Sequence, residues 1–320
     1  MRPGSFAAFG SFILFTRFRT SFAPNPVTSS LNAPIRWPAE ALWEAVVPTL
    51  PGFTVEVLPE IDSTNTELMR RFKGRPGAAP RPEPLLLVAE QQSAGRGRLG
   101  RSWQSRRADS LTFSLGLPLQ PADWSGLSLA VGISVADSLD PPQPGQARPA
   151  GRPRISLKWP NDLWLSTPQG ERKLAGILVE TAAWGDLRHV VIGIGINIWP
   201  VPVPPPASGE TTLAAVPPGC LQELDPSLDA AEALLRVVPA LVQTVQAFEQ
   251  FGFAPFQARF AARDALSGRA VQLSDGTQGT AHGVAENGAL RVQTTAGMLE
   301  VTSAEVSVRP VAGAKGMSPC

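Results

Sequence analysis

From Trp37 onward the hydrophobic and polar positions fall into regular periods, and each period predicts an element. Pro38–Val47 reads as a short helix, and the alternation Phe53, Val55, Val57 as a strand. Asp62-Ser-Thr-Asn-Thr-Glu67 is an N-cap cluster with Thr64 and Glu67 in capping-box spacing, opening a helix that runs to Phe72. Leu85–Ala89 and Leu111–Leu117 are apolar strands, and Ser125–Leu139 reads as an amphipathic helix. A Pro/Gly/Arg loop, Asp140–Pro153, follows. Ile155–Trp159, Leu163–Leu165, Lys173–Thr181 and Val190–Ile198 predict adjoining strands, the first two joined by a turn at Pro160-Asn161. Pro200–Pro218 is too proline-dense for an ordinary connection and predicts a mobile loop beside a site. Ala230–Phe251 is helical with a break at Pro239, and Ala254–Ala262 adds a further helical piece. From Gly268 the texture changes to short strands with turns at Asp275-Gly276 and Asn287-Gly288, the size of a small barrel ending near Arg309.

The first 36 residues hold no acidic residue, and their apolar stretch Phe6–Phe15 is flanked by Arg2, Arg17 and Arg19. The stretch is about half the roughly 20 residues of a membrane span. As a secretory signal it has too thin a basic region and no clear cleavage site. A disordered extension, from a start codon placed too far upstream, is the favoured reading. The expected division is 1–36 extension, 37–264 main domain, 265–310 small C-terminal domain and 311–320 disordered tail.

Composition narrows the chemistry. The 320 residues carry 28 Lys+Arg against 27 Asp+Glu, so no global field points to nucleic acid or a membrane surface. Two cysteines, Cys220 and Cys320, make neither a disulfide framework nor a thiolate metal site, and a reducing, cytoplasmic setting is the default. The only histidines, His189 and His282, lie far apart, which argues against a zinc site or a Ser-His-Asp triad. Both read as polar strand or loop positions, Cys220 as a loop thiol, and most of the eight tryptophans as core, with Trp103 and Trp159 as exceptions.

Gly95-Arg-Gly-Arg-Leu-Gly100 satisfies G-x-G-x-x-G after a strand, but a dinucleotide-binding loop opens a helix and this one leads to another strand. A kinase reading fails for want of its companion motifs. What remains is a loop of three guanidiniums, Arg96, Arg98 and Arg101, which repel one another until an anion arrives. It reads as a loop ordered by a polyphosphate ligand; the bland alternative is a solvated basic turn. Lys158-Trp-Pro-Asn-Asp162 places a lysine, an amide and a carboxylate on a tight turn, and Lys173 opens an apolar strand in which Gly176 allows close approach. Gly193-Ile-Gly-Ile-Asn197 offers small residues against which a flat ligand can lie, with Asn197 to hydrogen-bond it.

Asp62-Ser-Thr-Asn65, the Gly-Arg-Gly-Arg-x-Gly-Arg loop, Lys-Trp-Pro-Asn-Asp, Arg172-Lys-Leu-Ala-Gly-Ile-Leu-Val-Glu180 and Gly-Ile-Gly-Ile-Asn, in this order, closely resemble biotin protein ligase, also called biotin-[acetyl-CoA-carboxylase] ligase. The resemblance spans about Pro38 to Pro310. It implies an α+β fold: a catalytic domain of the class II aminoacyl-tRNA-synthetase and lipoate-ligase type, a mixed sheet with helices on one side, then a small SH3-like β-barrel. It implies a ligase-only member, since the sequence ahead of Asp62 is too short for a helix-turn-helix. The implied reaction joins biotin to the α-phosphate of Mg-ATP as biotinyl-5′-AMP, and a lysine of the biotin carboxyl carrier protein then takes the biotinyl group.

Carried over by position, the resemblance implies that Ser63, Thr64, Asn65 and Gln92 hold the biotin head. The backbone at Arg96-Gly97-Arg98 closes over it, and Lys173 holds its carboxylate and the α-phosphate. Arg98, Arg101, Lys158, Asn161 and Asn197 face the nucleotide, and Trp103 shields the adenylate. Asp162 is the candidate to orient or deprotonate the incoming lysine, so Lys173, Arg98 and Asp162 form the expected catalytic set. No metal ligand is identified among the side chains, and Mg2+ is expected with ATP. Gln91 stands where the family commonly has an aromatic residue. The resemblance allows a homodimer, which no local feature decides, and implies no DNA or membrane partner. Lipoate or octanoate transfer in the same fold and a nucleic-acid-binding module are the competing readings.

Overall fold

The computed structural model describes residues 35–73, 83–142, 154–184, 187–201, 216–302 and 308–310. The amino-terminal extension, nearly all of the Asp140–Pro153 loop, most of Pro200–Pro218 and the carboxyl-terminal tail lie outside the described residues.

Seven strands form the first sheet: β1 (Thr54–Leu58), β2 (Leu85–Ala89), β3 (Ser110–Pro118), β4 (Arg154–Lys158), β5 (Asp162–Thr167), β6 (Gly170–Trp184) and β7 (Leu187–Asn197). Their spatial order is β1-β2-β3-β7-β6-β5-β4. Only β1 and β2 run parallel, so the sheet is mixed. β3, β7 and β6 lie at the centre, and they form the floor of the cleft described below.

Helices α1 (Ala39–Val46), α3 (Leu127–Leu139) and α4 (Ala230–Phe251) pack with Leu86, Val88 and Phe113 into the main core. α2 (Thr64–Lys73) instead joins Leu68 and Phe72 to Leu87 and Val191. Because successive strand side chains point to opposite faces, these two clusters lie on opposite sides of the sheet. The expectation of helices on one side is therefore corrected: among the described residues α2 packs on the other side.

Two helix readings also change. α3 is not amphipathic: its residues from Leu129 to Ala136 are all buried, wedged between α4 and the sheet. α4 runs unbroken through Pro239. An internal proline costs roughly 3 kcal/mol, whereas each buried Val or Leu contributes roughly 1.5–3 kcal/mol. Leu234, Val237, Val238, Leu241, Val242 and Val245, all fully buried, outweigh the break.

After α5 (Gln257–Ala261), strands β8 (Ala270–Leu273), β9 (Gln278–Val284), β10 (Leu290–Thr294), β11 (Gly297–Val301) and β12 (Val308–Pro310) form a five-stranded antiparallel sheet in the order β11-β10-β9-β8-β12. Trp159 is fully buried and its Nε1 donates to Gly288 O at 3.1 Å, tying the Lys158–Asp162 turn to this second sheet. Arg269 meets Glu171 at 2.6 Å, a second tie between the sheets. His189, expected as a polar position, is fully buried and stacks on Phe72 with ring centroids 4.6 Å apart. Cys220 is buried before a 3-10 turn at Leu221–Glu223. Trp43 and Trp199 are exposed, so the tryptophans are less of a core set than expected. No helix among the described residues is long and apolar enough to cross a membrane.

Candidate active site

A cleft opens over β3, β7 and β6 on the α2 side of the sheet, concave and lined by convergent polar groups as small-molecule sites are. Every residue carried over from the resemblance lines it except Asn197.

One wall is the start of α2. Ser63, not Thr64, is the N-cap: its Oγ accepts from Thr66 N at 3.4 Å. The expected Thr64/Glu67 capping box is absent, because Glu67 turns to Arg71 at 2.8 Å and Arg70 at 3.4 Å. Thr64 is thereby released to the cleft, where its backbone N–H and Oγ1 both reach Gln92 Oε1, at 2.8 and 3.2 Å. Ser114 Oγ lies 2.7 Å from Thr64 Oγ1 and 2.6 Å from Asn65 Oδ1. The sequence reading missed Ser114, although Ser110, Thr112 and Ser114 alternate with Leu111, Phe113 and Leu115 in a strand buried on both faces. Three polar residues on one buried face are the signal that would have found it.

The second wall is the arginine loop, which closes on itself as a tight hairpin. Trp103 N donates to Gly95 O at 2.8 Å and Gly97 N to Arg101 O at 2.7 Å. A β-carbon at Gly95 would overlap Trp103 O, so glycine is required there. These backbone hydrogen bonds give the loop its hairpin shape and leave its three guanidiniums at the mouth of the cleft. Arg96 is turned onto Glu180 at 2.9 Å, and Arg98 Nη1 donates to Asn161 Oδ1 at 3.3 Å.

The third wall carries the charges. The turn between β4 and β5 contains a cis Trp159-Pro160 bond. Asn161 is pinned there, its Nδ2 donating to Ile177 O at 2.9 Å. Asp162 Oδ1 lies 2.7 Å from Lys173 Nζ, and its Oδ2 lies 4.0 Å from Lys158 Nζ. Burial pushes the Lys158 ammonium down to about 8, with Asp162 opposing and Lys173, Arg101 and Arg98 adding to the shift. Burial likewise lowers the Arg98 guanidinium from its ordinary value. The region is an under-neutralised cationic pocket, which favours an anionic ligand.

Gly193 and Gly195 serve neighbours as well as the cleft. A β-carbon at Gly193 would overlap Asn65 Oδ1, and one at Gly195 would overlap the Trp103 ring. The Trp103 Nε1 is buried and has no hydrogen-bond partner among the described residues. Asn197, expected at the nucleotide, lies beneath Lys173. Its Nδ2 donates to Lys173 O at 3.2 Å and Gly219 O at 3.0 Å, fixing the start of β6 instead of lining the cleft.

Residues 57–197 match the Biotin/lipoate A/B protein ligase family and residues 266–309 the Biotin protein ligase C terminal domain. The chain is 36% identical over 269 residues to the bifunctional ligase/repressor BirA of Escherichia coli, covering 81% of this chain and 75% of that protein. This chain belongs to the biotin protein ligase family. Another member, the biotin-[acetyl-CoA-carboxylase] ligase of Paracoccus denitrificans, is 32% identical over 78% of this chain and 98% of its own length. Among solved biotin protein ligases, that of Aquifex aeolicus in complex with biotin and ATP superposes with a TM-score of 0.62 at 28% identity, covering 80% of this chain and 99% of that one.

Proposed function

We propose that this chain activates biotin with ATP as biotinyl-5′-AMP and transfers the biotinyl group to a lysine of a biotin carboxyl carrier protein. The observation that carries the reading is the convergence of Lys173, Lys158 and Arg98 around Asp162 in one cleft, beside the uncharged polar wall of Ser63, Thr64 and Gln92, with Ser114 buried behind Thr64. A neutral bicyclic head with amide-like donors and acceptors suits the polar wall, and a carboxylate joined to a nucleotide phosphate suits the cations.

The difficulty of the first half-reaction is that a carboxylate must approach the α-phosphate, and both are anions. Two unit charges 4 Å apart interact by about 4 kcal/mol at an effective dielectric near 20, so cations placed beforehand remove a term of that size. Lys173 lines the cleft beside Asp162, and Arg98 and Arg101 enter it from the hairpin, so the cations are in place before the anions arrive. The bond from the α-phosphorus to the bridging oxygen breaks, and pyrophosphate leaves. In the second half-reaction the carrier lysine attacks the biotinyl carbonyl carbon and AMP departs. The lysine must first lose a proton, and Asp162 is the carboxylate positioned to orient it or receive that proton. No enzyme nucleophile is needed.

Magnesium enters with ATP. Among the described residues no three His, Cys, Asp or Glu side chains cluster to hold a metal, and the Asp162 carboxylate already faces two lysines. Residues 37–264 form the catalytic domain on this reading and 265–310 the C-terminal domain. The enzyme acts in the cytoplasm, where its carrier and ATP reside, and self-association as a homodimer is compatible with it.

The test is intact-mass analysis of a carrier domain incubated with enzyme, Mg-ATP and biotin, with Lys173→Ala alongside. A biotinyl increment that the variant loses supports the reading. Pyrophosphate without an increment points to a different carrier, and neither product directs attention to octanoate and lipoate.

A further inference from the structure

Glu180 sits on β6 outside the cleft lining, its side chain 22% exposed, and its carboxylate is shared by two walls of the site. Oε1 accepts from Arg96 Nη2 at 2.9 Å, and Oε2 accepts from Arg96 Nη1 at 3.1 Å and from Asn65 Nδ2 at 3.0 Å. Arg96 belongs to the hairpin and Asn65 to the first turn of α2. Asn65 Nδ2 also lies 3.2 Å from Leu178 O, and its Oδ1 meets Ser114, which reaches Thr64 and through it Gln92. One carboxylate therefore closes a continuous polar chain from the hairpin to the end of the cleft given above to the biotin head.

We infer that Glu180 is a positioning residue that latches the Gly95–Arg101 hairpin to the biotin-facing start of α2, so that hairpin closure and occupancy of that end are coupled. The inference rests on the ligase reading. A bidentate arginine-carboxylate pair fixes direction as well as distance, which a lysine at position 96 would not reproduce. Arg96 is 46% exposed, so the pair is screened and adds little to global stability. Its consequence is local: a loop held over a reactive mixed anhydride sets how long that intermediate stays bound. Asn65 transmits the state of one wall to the other because it shares Oε2 with Arg96. Glycine at 193 leaves the space in which Asn65 can do so.

The experiment times release of labelled biotinyl adenylate into excess unlabelled biotin for wild type, Glu180→Gln, Arg96→Ala and the double variant, with thermal melting in parallel. Glu180→Gln keeps an oxygen acceptor for Asn65 while discarding the ion pair. Each single variant is expected to release adenylate faster, on the order of tenfold. The double variant is expected to be no faster than the faster single one, with melting temperatures near wild type. Additive effects, wild-type release rates, or faster release that simply follows a fallen melting temperature overturn the latch. A wild-type chain that forms no adenylate overturns the ligase reading on which the latch rests, so the two failures are distinguishable.

Discussion

Lys173 Nζ lies 2.7 Å from Asp162 Oδ1, although the two residues come from separate strands joined in register Asp162 to Gly176. On the proposed reading, the pair holds the cation used in activation beside the carboxylate used in transfer. Lys173→Ala should lower adenylate formation by about 10²–10³, read as pyrophosphate release. Asp162→Asn should form adenylate within about tenfold of wild type and slow transfer to the carrier by about 10²–10⁴, read by single-turnover transfer from preformed adenylate. Normal transfer by Asp162→Asn removes the proposed role.

Lys158 gives a pH signature. Its folded value, about 8, is below its unfolded value near 10.5, so between these the unfolded chain binds the extra proton and stability rises with pH. Below pH 8 the ammonium is charged in both states and burial opposes folding fully. Lys158→Met should therefore melt higher than wild type at pH 7, and the difference should shrink toward pH 10.5. The chain has no tyrosine to obscure that window. Melting curves across pH 7 to about 10.5 check it.

Asp264 gives the opposite test away from the cleft. Burial raises its carboxyl to about 6 from 3.8, and Oδ2 has no partner among the described residues. The folded state binds the extra proton between these values, so stability from this group is present below pH 3.8 and lost as pH rises through 6. Asp264→Asn should be more stable than wild type at pH 7, by at most about 3 kcal/mol. Denaturant titrations should show the gain vanish at acid pH.

Gly193 and Gly195 separate the two ends of the cleft. Gly193→Ala displaces Asn65 and should raise the KM for biotin, whereas Gly195→Ala displaces the Trp103 ring and should raise the KM for ATP. Each change is expected to be about tenfold, since overpacking costs typically 1–3 kcal/mol. Steady-state kinetics with each substrate varied in turn would reverse the assignment if the two effects were exchanged.

Much of the site was legible before the fold. The capping cluster, the glycine-arginine loop and the Lys-Trp-Pro-Asn-Asp turn are local features, and strand Leu85–Ala89 was bounded to the residue by its apolar run. The packing of Asn197 was not legible, because a residue at the end of a strand can point to a ligand or to a neighbouring backbone, and its two acceptors, Lys173 O and Gly219 O, come from other segments. Ser114 and Glu180 were missed for a related reason: each acts through a partner tens of residues away.

The sequence by itself determined the periods, the turns and the chemical kinds of residue available, because these depend on atoms a few residues apart. The tertiary structure decided which face each residue meets. The strand order β2-β3-β7-β6 laid Ser114 and Glu180 on either side of Asn65 and placed Asn197 beneath Lys173. That order follows from burying both faces of one sheet at once, on one side under α1, α3 and α4 and on the other under α2, a collective demand that no local window contains.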